Sequence, residues 1–579
     1  MLYHILELGE QAPKRTALTL FFVFLGVLYF LRRALLPKPI LGIPYNKRAA
    51  ESIFGDIPEF RAASNRREWW AQQAVRHQSP LVQVFVRPFG RPWVLVADYF
   101  EASDISMRRL KEFDRSEVSK QQFGGSAPGH SLTLRSSDPQ YKKNKELTRD
   151  LMSISFLQQA SAPQMYAKFT TLLKLWDHKR NIAGGRPFDA SEDVHDAVLD
   201  IIARASFGIE SDKGPLNQQL DQLKSKTTSG GKDDAFEFEH APLDPGLACF
   251  PVLIAGTSVA IKSPAPVTHH FLYRNLSPSM RRARADLDNL TNRETAKSIE
   301  RRRLGRPQRC ALDNMLAREE AIAEKEGRKP EYHSQIIKSE LVGYLVAGHD
   351  STSSALKWGM KYLIDDQRVQ TRLCQEIQKA HSEAAQQRRA PTVDEIIKTQ
   401  VPYLDAVIEE TLRYALVAPV TLRQAMTDTE ILGVHVPKGT TIGLMGNGPS
   451  VMLPSIPIDP SKRSEAANAH IKKMGPYDES DIRQFIPERW LRTQTTETGE
   501  EETVFDSNRR PSQSMGLGPR MCFGKKLAYM EVRMFFTLLF WEFRLGPIKP
   551  ELAGHEELVV MTRTPKNVYV NLKKAQTYG

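Results

Sequence analysis

Residues 513–528 read Gln-Ser-Met-Gly-Leu-Gly-Pro-Arg-Met-Cys-Phe-Gly-Lys-Lys-Leu-Ala and hold Cys522 in a glycine-rich turn. An apolar helical pattern, Leu527 to Trp541, begins directly after this turn. Backbone N–H groups and the positive end of the helix dipole stabilise an anionic group at such a terminus, here the cysteine thiolate. Gly518 and Gly524 have no side chain, so a flat ligand can approach the backbone closely.

A thiolate beside space for a planar group indicates haem iron ligated by cysteine. Arg520, two residues before the cysteine, can pair with a carboxylate on that ligand. The alternative interpretation is a buried and chemically inert cysteine. The stretch resembles the haem-binding loop of the cytochrome P450 superfamily, Phe-x-x-Gly-x-Arg-x-Cys-x-Gly. It departs from that pattern at Met515, where the family has a phenylalanine that shields the sulfur.

Composition places the chain among globular proteins, because 41% of its 579 residues are apolar and 26% are charged. None of the cysteines, Cys249, Cys310, Cys374 and Cys522, forms a C-x-x-C pair or has a histidine at metal-ligand spacing. This pattern argues against a disulfide framework or a zinc site and favours a reducing compartment. The net charge of +12 is compatible with nucleic acid, a membrane surface or an acidic partner. Since no nucleic-acid motif accompanies it, we expect one of the last two.

An uncharged run of 16 residues, Thr16–Leu31, lies near the N-terminus. As a helix it is about 24 Å long, slightly less than the bilayer core of about 30 Å, and residues 32–36 can extend it. A cleaved signal peptide is the rival interpretation. No small-x-small site follows and two arginines close the run, which favours an uncleaved anchor. The predicted organisation is a transmembrane anchor helix over 1–36, a proline-rich linker over 37–45, and a domain over 46–579 that the resemblance implies is a haem-thiolate monooxygenase.

Basic residues are denser after the apolar run than before it. The positive-inside rule therefore predicts a single-pass protein whose large C-terminal part faces the cytosol, with the endoplasmic reticulum as the membrane. In that orientation the N-x-S/T sequons at Asn275 and Asn289 stay unmodified.

Helical patterns outweigh β-rich runs, so the predicted fold class is mainly α with small β-sheets. The runs Leu81–Val86 and Trp93–Val96 predict a hairpin, and further β-runs lie near 420–445 and 556–571. Ser119–His130 and Ser225–Asp234 are polar and predict loops. Asn144–Phe156 predicts a helix that carries Arg149.

Ile336–Leu363 predicts one long central helix, in whose middle lies Ala347-Gly-His-Asp-Ser-Thr-Ser-Ser. Such a polar cluster in a buried helix is costly unless it is satisfied or used. Asp350 beside Ser351 and Thr352 offers an acid and hydroxyls for proton transfer, and the alternative is a helix kink with solvated hydroxyls. The segment resembles the family's oxygen-activation motif, with Asp350 in the acid position. Ser351 takes the usual threonine position, and Thr352 is the other candidate hydroxyl.

Glu410 and Arg413 stand three residues apart, on one face of a predicted helix, and Phe485-Ile-Pro-Glu-Arg-Trp490 follows later. These segments resemble the family's Glu-x-x-Arg motif and its Pro-Glu-Arg-Phe/Trp segment. The resemblance implies a structural triad of Glu410, Arg413 and Arg489, in which loss of one member leaves a buried unpaired charge. It also implies that Arg149, Arg423 and Arg520 hold the haem propionates. The family's Trp-x-x-x-Arg appears here as Lys145-x-x-x-Arg149.

The resemblance implies the cytochrome P450 fold, with haem b between the central helix and the cysteine loop and the Cys522 thiolate as axial ligand. It implies a monooxygenase that oxidises a hydrophobic small molecule with O2 and electrons from an NADPH–cytochrome P450 reductase. Basic residues near the loop that can meet an acidic reductase face are Arg509, Arg510, Lys525 and Lys526. An isomerase or dehydratase that needs no external electrons is the second hypothesis, and a haem- or lipid-binding protein is the third.

By resemblance, mostly apolar segments form the substrate walls, which favours a hydrophobic substrate. The segment Val436-Pro-Lys-Gly-Thr and its continuation resemble versions found in filamentous fungi, often in natural-product pathways, so a secondary-metabolite intermediate is the expected substrate. The expected wall segments are Ser119–His130, Ala248–Val267, Tyr344–Ala347, Ala415–Val420 and Val560–Thr564.

Overall fold

The computed structural model describes residues 2–209, 214–225, 235–243, 246–263, 265–559 and 561–575. Most of these residues are helical, and the strands form small sheets, so the predicted fold class is confirmed. The loop predicted over Ser225–Asp234 lies, apart from its first residue, outside the described residues.

The α-helices of the N-terminal half are α1 (Leu2–Leu35), α2 (Lys47–Ala50), α3 (Ile57–Ala62), α4 (Arg66–His77), α5 (Tyr99–Met107), α6 (Glu117–Phe123), α7 (Pro139–Thr148), α8 (Ile154–Phe156), α9 (Ala162–Ala183), α10 (Ser191–Phe207), α11 (Pro215–Ser225), α12 (Cys249–Lys262) and α13 (Pro266–Leu276). Those of the C-terminal half are α14 (Pro278–Arg303), α15 (Ala311–Glu326), α16 (Gln335–Asp365), α17 (Gln367–Ala380), α18 (Ser382–Gln386), α19 (Val393–Lys398), α20 (Pro402–Ala415), α21 (Glu465–Met474), α22 (Lys525–Glu542) and α23 (Pro550–Ala553).

The strands are β1 (Leu81–Val84), β2 (Trp93–Val96), β3 (Phe113–Arg115), β4 (Phe188–Asp189), β5 (Val420–Ala425), β6 (Thr429–Ile431), β7 (Val434–Val436), β8 (Thr441–Met445), β9 (Leu491–Thr495), β10 (Glu501–Phe505), β11 (Phe543–Gly546), β12 (Glu557–Val559), β13 (Arg563–Pro565) and β14 (Tyr569–Lys574). The largest sheet has the order β1-β2-β8-β5-β3, and β2 and β8 are its parallel pair. A second sheet has the order β11-β14-β4, and three antiparallel pairs complete the set, β6-β7, β9-β10 and β12-β13.

The predicted hairpin is present as β1 and β2, which pair antiparallel with Leu81 opposite Val96 and Val84 opposite Trp93. Every residue of both strands is buried, because helices and loops cover both faces of this part of the sheet. The preceding proline-rich segment is tied to it: the Gln83 side chain accepts from Ile40 N and donates to the carbonyls of Ile40 and Ile43. The segment therefore packs against the domain that it was predicted only to link.

The largest apolar core surrounds α16, the central helix that the sequence predicts. Helix α16 begins after Ser334, whose side chain accepts from Ile337 N and caps the first turn. Residues of α9, α10, α20 and α22 pack in the same core, which fixes α16 relative to the helix that follows Cys522.

Two predicted elements differ from the structure. Residues 117–123 form α6 instead of the first part of a loop, because the Ser116 side chain accepts from Ser119 N and caps a helix there. The helix predicted over Asn144–Phe156 begins earlier, at Pro139, and α7 ends at Thr148, after which residues 149–152 form a 3-10 turn.

The N-terminal apolar run lies in α1. Within the described part of the chain, no helix combines the length and hydropathy that crossing a membrane requires. The prediction of a transmembrane anchor is therefore not supported.

Candidate active site

The loop that carries Cys522 is closed by its own backbone. Cys522 N donates to Met515 O at 2.7 Å, and Gly516 N donates to Gln513 O at 2.9 Å. Gly518 has a φ of +69°, and a Cβ at this position would lie 2.1 Å from the carbonyl oxygen of Ser106. The absence of a side chain at Gly518 thus allows the loop to pack on α5, which differs from the predicted reason, the approach of a flat ligand.

Cys522 lies immediately before α22, as predicted, and it is exposed. Protein groups still surround its sulfur closely enough that desolvation raises the pKa of the thiol. The N–H of Gly524 and the charges of Lys145 and Lys525 lower the pKa, but they do not outweigh burial. The helix terminus alone therefore does not give the predicted thiolate, whereas a coordinated metal ion deprotonates a thiol outright.

Three arginines form a guanidinium cluster, defined here as Arg115, Arg423 and Arg520. Arg115 and Arg423 are direct register partners on β3 and β5. Burial and the other two arginines lower the pKa of Arg115 to about 9, and burial and Arg520 lower that of Arg423 to about 10. Each of the three has a buried guanidinium nitrogen with no hydrogen-bond partner among the described residues: Arg115 Nε, Arg423 Nε and Arg520 Nη1. Mutually repelling cations with free donors are complementary to carboxylates.

Arg149 does not belong to the guanidinium cluster, and the prediction that it holds a propionate is wrong in this structure. Its side chain is 57% exposed and forms ion pairs with Glu146 (3.1 Å) and Asp150 (3.6 Å). The reason is that α7 ends at Thr148 and the 3-10 turn redirects the side chain.

One helical turn earlier, Lys145 takes the inward position. Its ammonium lies 4.3 Å from the centre of the Phe523 ring, and its charge acts on both Cys522 and Arg520. Tyr141, one further turn back, lies under the Arg520 guanidinium at 4.3 Å. No motif in the sequence gives a signal for Arg115, and Lys145 stands out in the sequence only as a departure from the family's tryptophan.

The polar cluster of α16 contains Asp350, Ser351 and Thr352. The Asp350 carboxylate is buried and accepts from Thr562 N at 2.9 Å and Thr562 Oγ1 at 2.6 Å. Ser351 Oγ donates to Ala347 O at 2.7 Å, whereas Thr352 is buried. Ser351 is therefore the more accessible of the two candidate hydroxyls. A Cβ on Gly348 would lie 2.7 Å from Ile202 Cδ1, so this glycine allows close packing against α10.

Glu410, Arg413 and Arg489 come together as the sequence predicts. Glu410 is fully buried, and its carboxylate accepts two hydrogen bonds from Arg413 (2.7 and 2.8 Å) and one from Arg489 (3.1 Å). Ile486 N and Trp490 Nε1 also donate to it, at 2.9 Å each. Burial alone raises the pKa of Glu410, but the arginines outweigh burial and the pKa is lowered. The carboxylate thus joins α20 to the segment before β9.

Glu340, on the second turn of α16, is a buried carboxylate that sequence analysis did not single out. It accepts from Ser131 N at 2.7 Å, Ser131 Oγ at 2.8 Å and Asn144 Nδ2 at 2.8 Å, and His130 Nε2 lies 3.4 Å away. Arg520 donates to the Leu134 carbonyl at 2.8 Å. The loop after α6 is consequently tied both to the central helix and to the cysteine loop.

The residues present fit a haem group. Cys522 offers a sulfur ligand, and the guanidinium cluster offers buried, unpartnered donors for propionate carboxylates. The described residues contain no cluster of three or more His, Cys, Asp or Glu side chains suited to another metal ion.

Comparisons with known proteins agree with this geometry. The family model "Cytochrome P450" matches residues 253–448 and 481–571. The cytochrome P450 monooxygenase TRI13 of Fusarium sporotrichioides is 35% identical to the chain, over 94% of this chain and 97% of that protein. The Hps1-dma1 cluster cytochrome P450 monooxygenase cyp3.1 of Dothistroma septosporum is 39% identical, over 46% of this chain and 86% of that protein.

Among solved structures, the crystal structure of the cytochrome P450DA haem domain matches with a TM-score of 0.64. The match covers 94% of this chain and 99% of that one, at 16% identity. At this identity the likeness shows the fold.

Proposed function

We propose a substrate class, roles for the site residues and an electron donor for this chain. The chain belongs to the cytochrome P450 family and is a monooxygenase with haem and a cysteine thiolate ligand. The proposed reaction is oxidation, by hydroxylation in the simplest case, of a hydrophobic intermediate of secondary metabolism. The observation that carries the proposal is the buried acid of the central helix, Asp350, next to the accessible hydroxyl of Ser351. An enzyme that only rearranged its substrate would not need this pair for proton delivery.

Cys522 is the proposed iron ligand, and the guanidinium cluster with Lys145 is the proposed partner of the propionates. When bound, the haem supplies the redox centre at which O2 is reduced and one oxygen atom passes to the substrate. Arg115, Arg423 and Arg520 then neutralise the carboxylates and fix their orientation, since each has a free buried donor.

Ser351 and Asp350 have separate roles in the proposed proton delivery. Ser351 Oγ donates its proton to Ala347 O in this structure, and rotation about its χ1 would free that proton for transfer. Asp350 is oriented by Thr562 and relays a proton from solvent to the hydroxyl through water, since no direct hydrogen bond joins the two side chains among the described residues.

The proposed electron donor is an NADPH–cytochrome P450 reductase. Lys525 and Lys526 directly follow the cysteine loop and Arg509 and Arg510 precede it; Arg509 and Lys526 are exposed, and Arg510 and Lys525 are partly exposed. Positive charge there is complementary to an acidic partner, and it makes turnover sensitive to salt. A turnover rate that does not change between low and high salt would contradict this choice of docking face.

The proposed location is the cytosolic face of the endoplasmic reticulum membrane. The support is the exposed apolar surface of α1 from Leu20 to Leu31, followed by Arg32 and Arg33. The proposed link to secondary metabolism is supported by the likeness to the cyp3.1 protein, whose name places it in a gene cluster.

NADPH-dependent oxidation tests the proposal against the isomerase alternative. With reductase and a panel of hydrophobic natural-product intermediates, product that forms only with NADPH supports a monooxygenase, and product without NADPH supports the alternative. Asp350→Asn should slow product formation and increase the hydrogen peroxide released per NADPH. Asp394→Asn, an exposed carboxylate, is the matched control and should change neither quantity. Unchanged coupling in Asp350→Asn would remove Asp350 from proton delivery.

A further inference from the structure

Two neighbouring cavities, each of about 20 Å³, lie between α12, α14, the loop after α6 and the start of α16. Ser126, Leu253 and Arg284 line both of them. Leu253 and Ser126 belong to segments expected to form substrate walls, and Val342 in the second cavity lies just before the expected wall of α16. The cavities therefore lie along the side of the molecule where substrate contacts are proposed.

These cavities have a cationic lining. Arg274 lines the first, Lys338 the second, and Arg284 both. Burial and the charge of Arg274 lower the pKa of Arg284, and burial, Arg284 and Arg274 lower that of Lys338. Asp288 pairs with Lys338, but no carboxylate among the described residues lies within ion-pair distance of Arg274 or Arg284. Arg274 and Arg284 thus lie close together without a counter-charge among the described residues; Arg284 is half-buried and Arg274 is exposed.

Three other polar side chains of the lining, Ser126, Ser339 and His270, are already hydrogen-bonded within the protein. Ser126 Oγ is hydrogen-bonded to Thr257 Oγ1 at 2.6 Å, and Ser339 Oγ donates to Pro128 O at 2.7 Å. His270 Nε2 is bonded to Gln122 O at 2.8 Å. Neither the Arg274 nor the Arg284 guanidinium has a hydrogen-bond partner among the residues that the structure describes. The rest of the lining is largely apolar, with Leu253, Met280, Leu287 and Val342.

We propose that Arg284, assisted by Arg274, binds an acidic group of the substrate, so that the substrate is a hydrophobic molecule with a carboxylate or a similar anion. A guanidinium fork recognises a carboxylate through two parallel hydrogen bonds, and partial burial strengthens that pairing. The inference rests on the proposed function, which supplies the hydrophobic body of the substrate. The negative charge of an anionic lipid headgroup offers the same chemistry. A membrane is a candidate source of that group because α13, beside the cavities, exposes the apolar side chains of Phe271 and Leu276.

Equilibrium dialysis of the full-length, haem-loaded enzyme with radiolabelled dodecanoate and dodecan-1-ol tests the proposal. The two probes share an apolar chain and differ in charge. The wild type should bind the acid at least tenfold more tightly, about 1.4 kcal/mol. Arg284→Gln should lose about tenfold in affinity for the acid and none for the alcohol. Arg282→Gln removes the same charge from an exposed position on α14 and should change neither affinity.

Equal affinities for the two probes, no measurable binding of the acid, or an equal loss for both in Arg284→Gln would each overturn the proposal. In a second arm, the same variants are sedimented with phosphatidylcholine vesicles with and without phosphatidylserine. If Arg284→Gln binds anionic vesicles less well while its affinity for dodecanoate is unchanged, the site recognises a headgroup and the substrate assignment is overturned. A normal carbon monoxide spectrum in every variant shows that the haem assignment is unaffected by either outcome.

Discussion

Glu410→Gln should lower the free energy of unfolding by about 3–5 kcal/mol, the cost of removing one partner from a buried ion pair. The carboxylate receives five hydrogen bonds from described residues, three of them from Arg413 and Arg489. Glutamine keeps the size of the side chain but removes the charge, and its amide group turns two donor hydrogens toward groups that are themselves donors. Both guanidinium groups are buried, so water cannot replace the lost acceptor.

Urea unfolding of the purified protein, followed by tryptophan fluorescence, measures this difference. Glu409→Gln is the matched control because Glu409 is the neighbouring buried carboxylate and carries the same substitution. No described arginine is its partner: it accepts from Tyr529 and from Ser512 at 3.1 Å, and burial raises its pKa. We expect the control to cost less than about 1.5 kcal/mol. A Glu410→Gln variant within about 1 kcal/mol of the wild type, or an equally costly control, would refute the account of the triad.

Two further predictions concern stability. Burial raises the pKa of the Glu531 carboxyl from 4.5 to about 8. Between these pH values the folded protein keeps the carboxyl proton and the unfolded chain loses it. The free energy of unfolding therefore falls as the pH rises through this range. Glu531→Gln should therefore gain stability over the wild type, by up to about 4–5 kcal/mol at pH 8.5 and little at pH 5, in urea unfolding; an equal difference at both pH values would contradict this. Gly518→Ala should destabilise the cysteine loop and reduce haem retention more than Gly516→Ala does. Both glycines have a positive φ, but only at Gly518 would an added Cβ lie 2.1 Å from a backbone carbonyl oxygen, that of Ser106. Equal haem retention in the two variants, measured by absorbance after gel filtration, would show that the contact with Ser106 is unimportant.

Features that depend on local sequence could be predicted. The central helix follows from a continuous apolar pattern and ends within two residues of the predicted bounds. The hairpin of β1 and β2 follows from two β-rich runs with a proline-containing turn between them. The triad of Glu410, Arg413 and Arg489 is implied by the resemblance of two short segments to the family's motifs, and the structure brings the three residues together.

Features that depend on long-range strand pairing or on where a helix ends could not be predicted from the sequence. Arg115 reaches the guanidinium cluster only because β3 pairs with β5, and nothing in its neighbouring residues indicates that register. The family resemblance places Arg149 in the site, whereas the change to a 3-10 turn at residue 149 turns its side chain to solvent. The partner of Asp350 is Thr562, which follows β12, and that contact requires the complete fold.

The central claim is that Cys522 ligates haem iron, and the difference spectrum of the dithionite-reduced protein with carbon monoxide tests it most directly. We expect the wild type to show the red-shifted band of thiolate-ligated haem and Cys522→Ser to lose it. Cys374→Ser, a buried cysteine outside this site, should keep the band. A band at the position of histidine-ligated haem in the wild type, or an unchanged band in Cys522→Ser, would contradict the account.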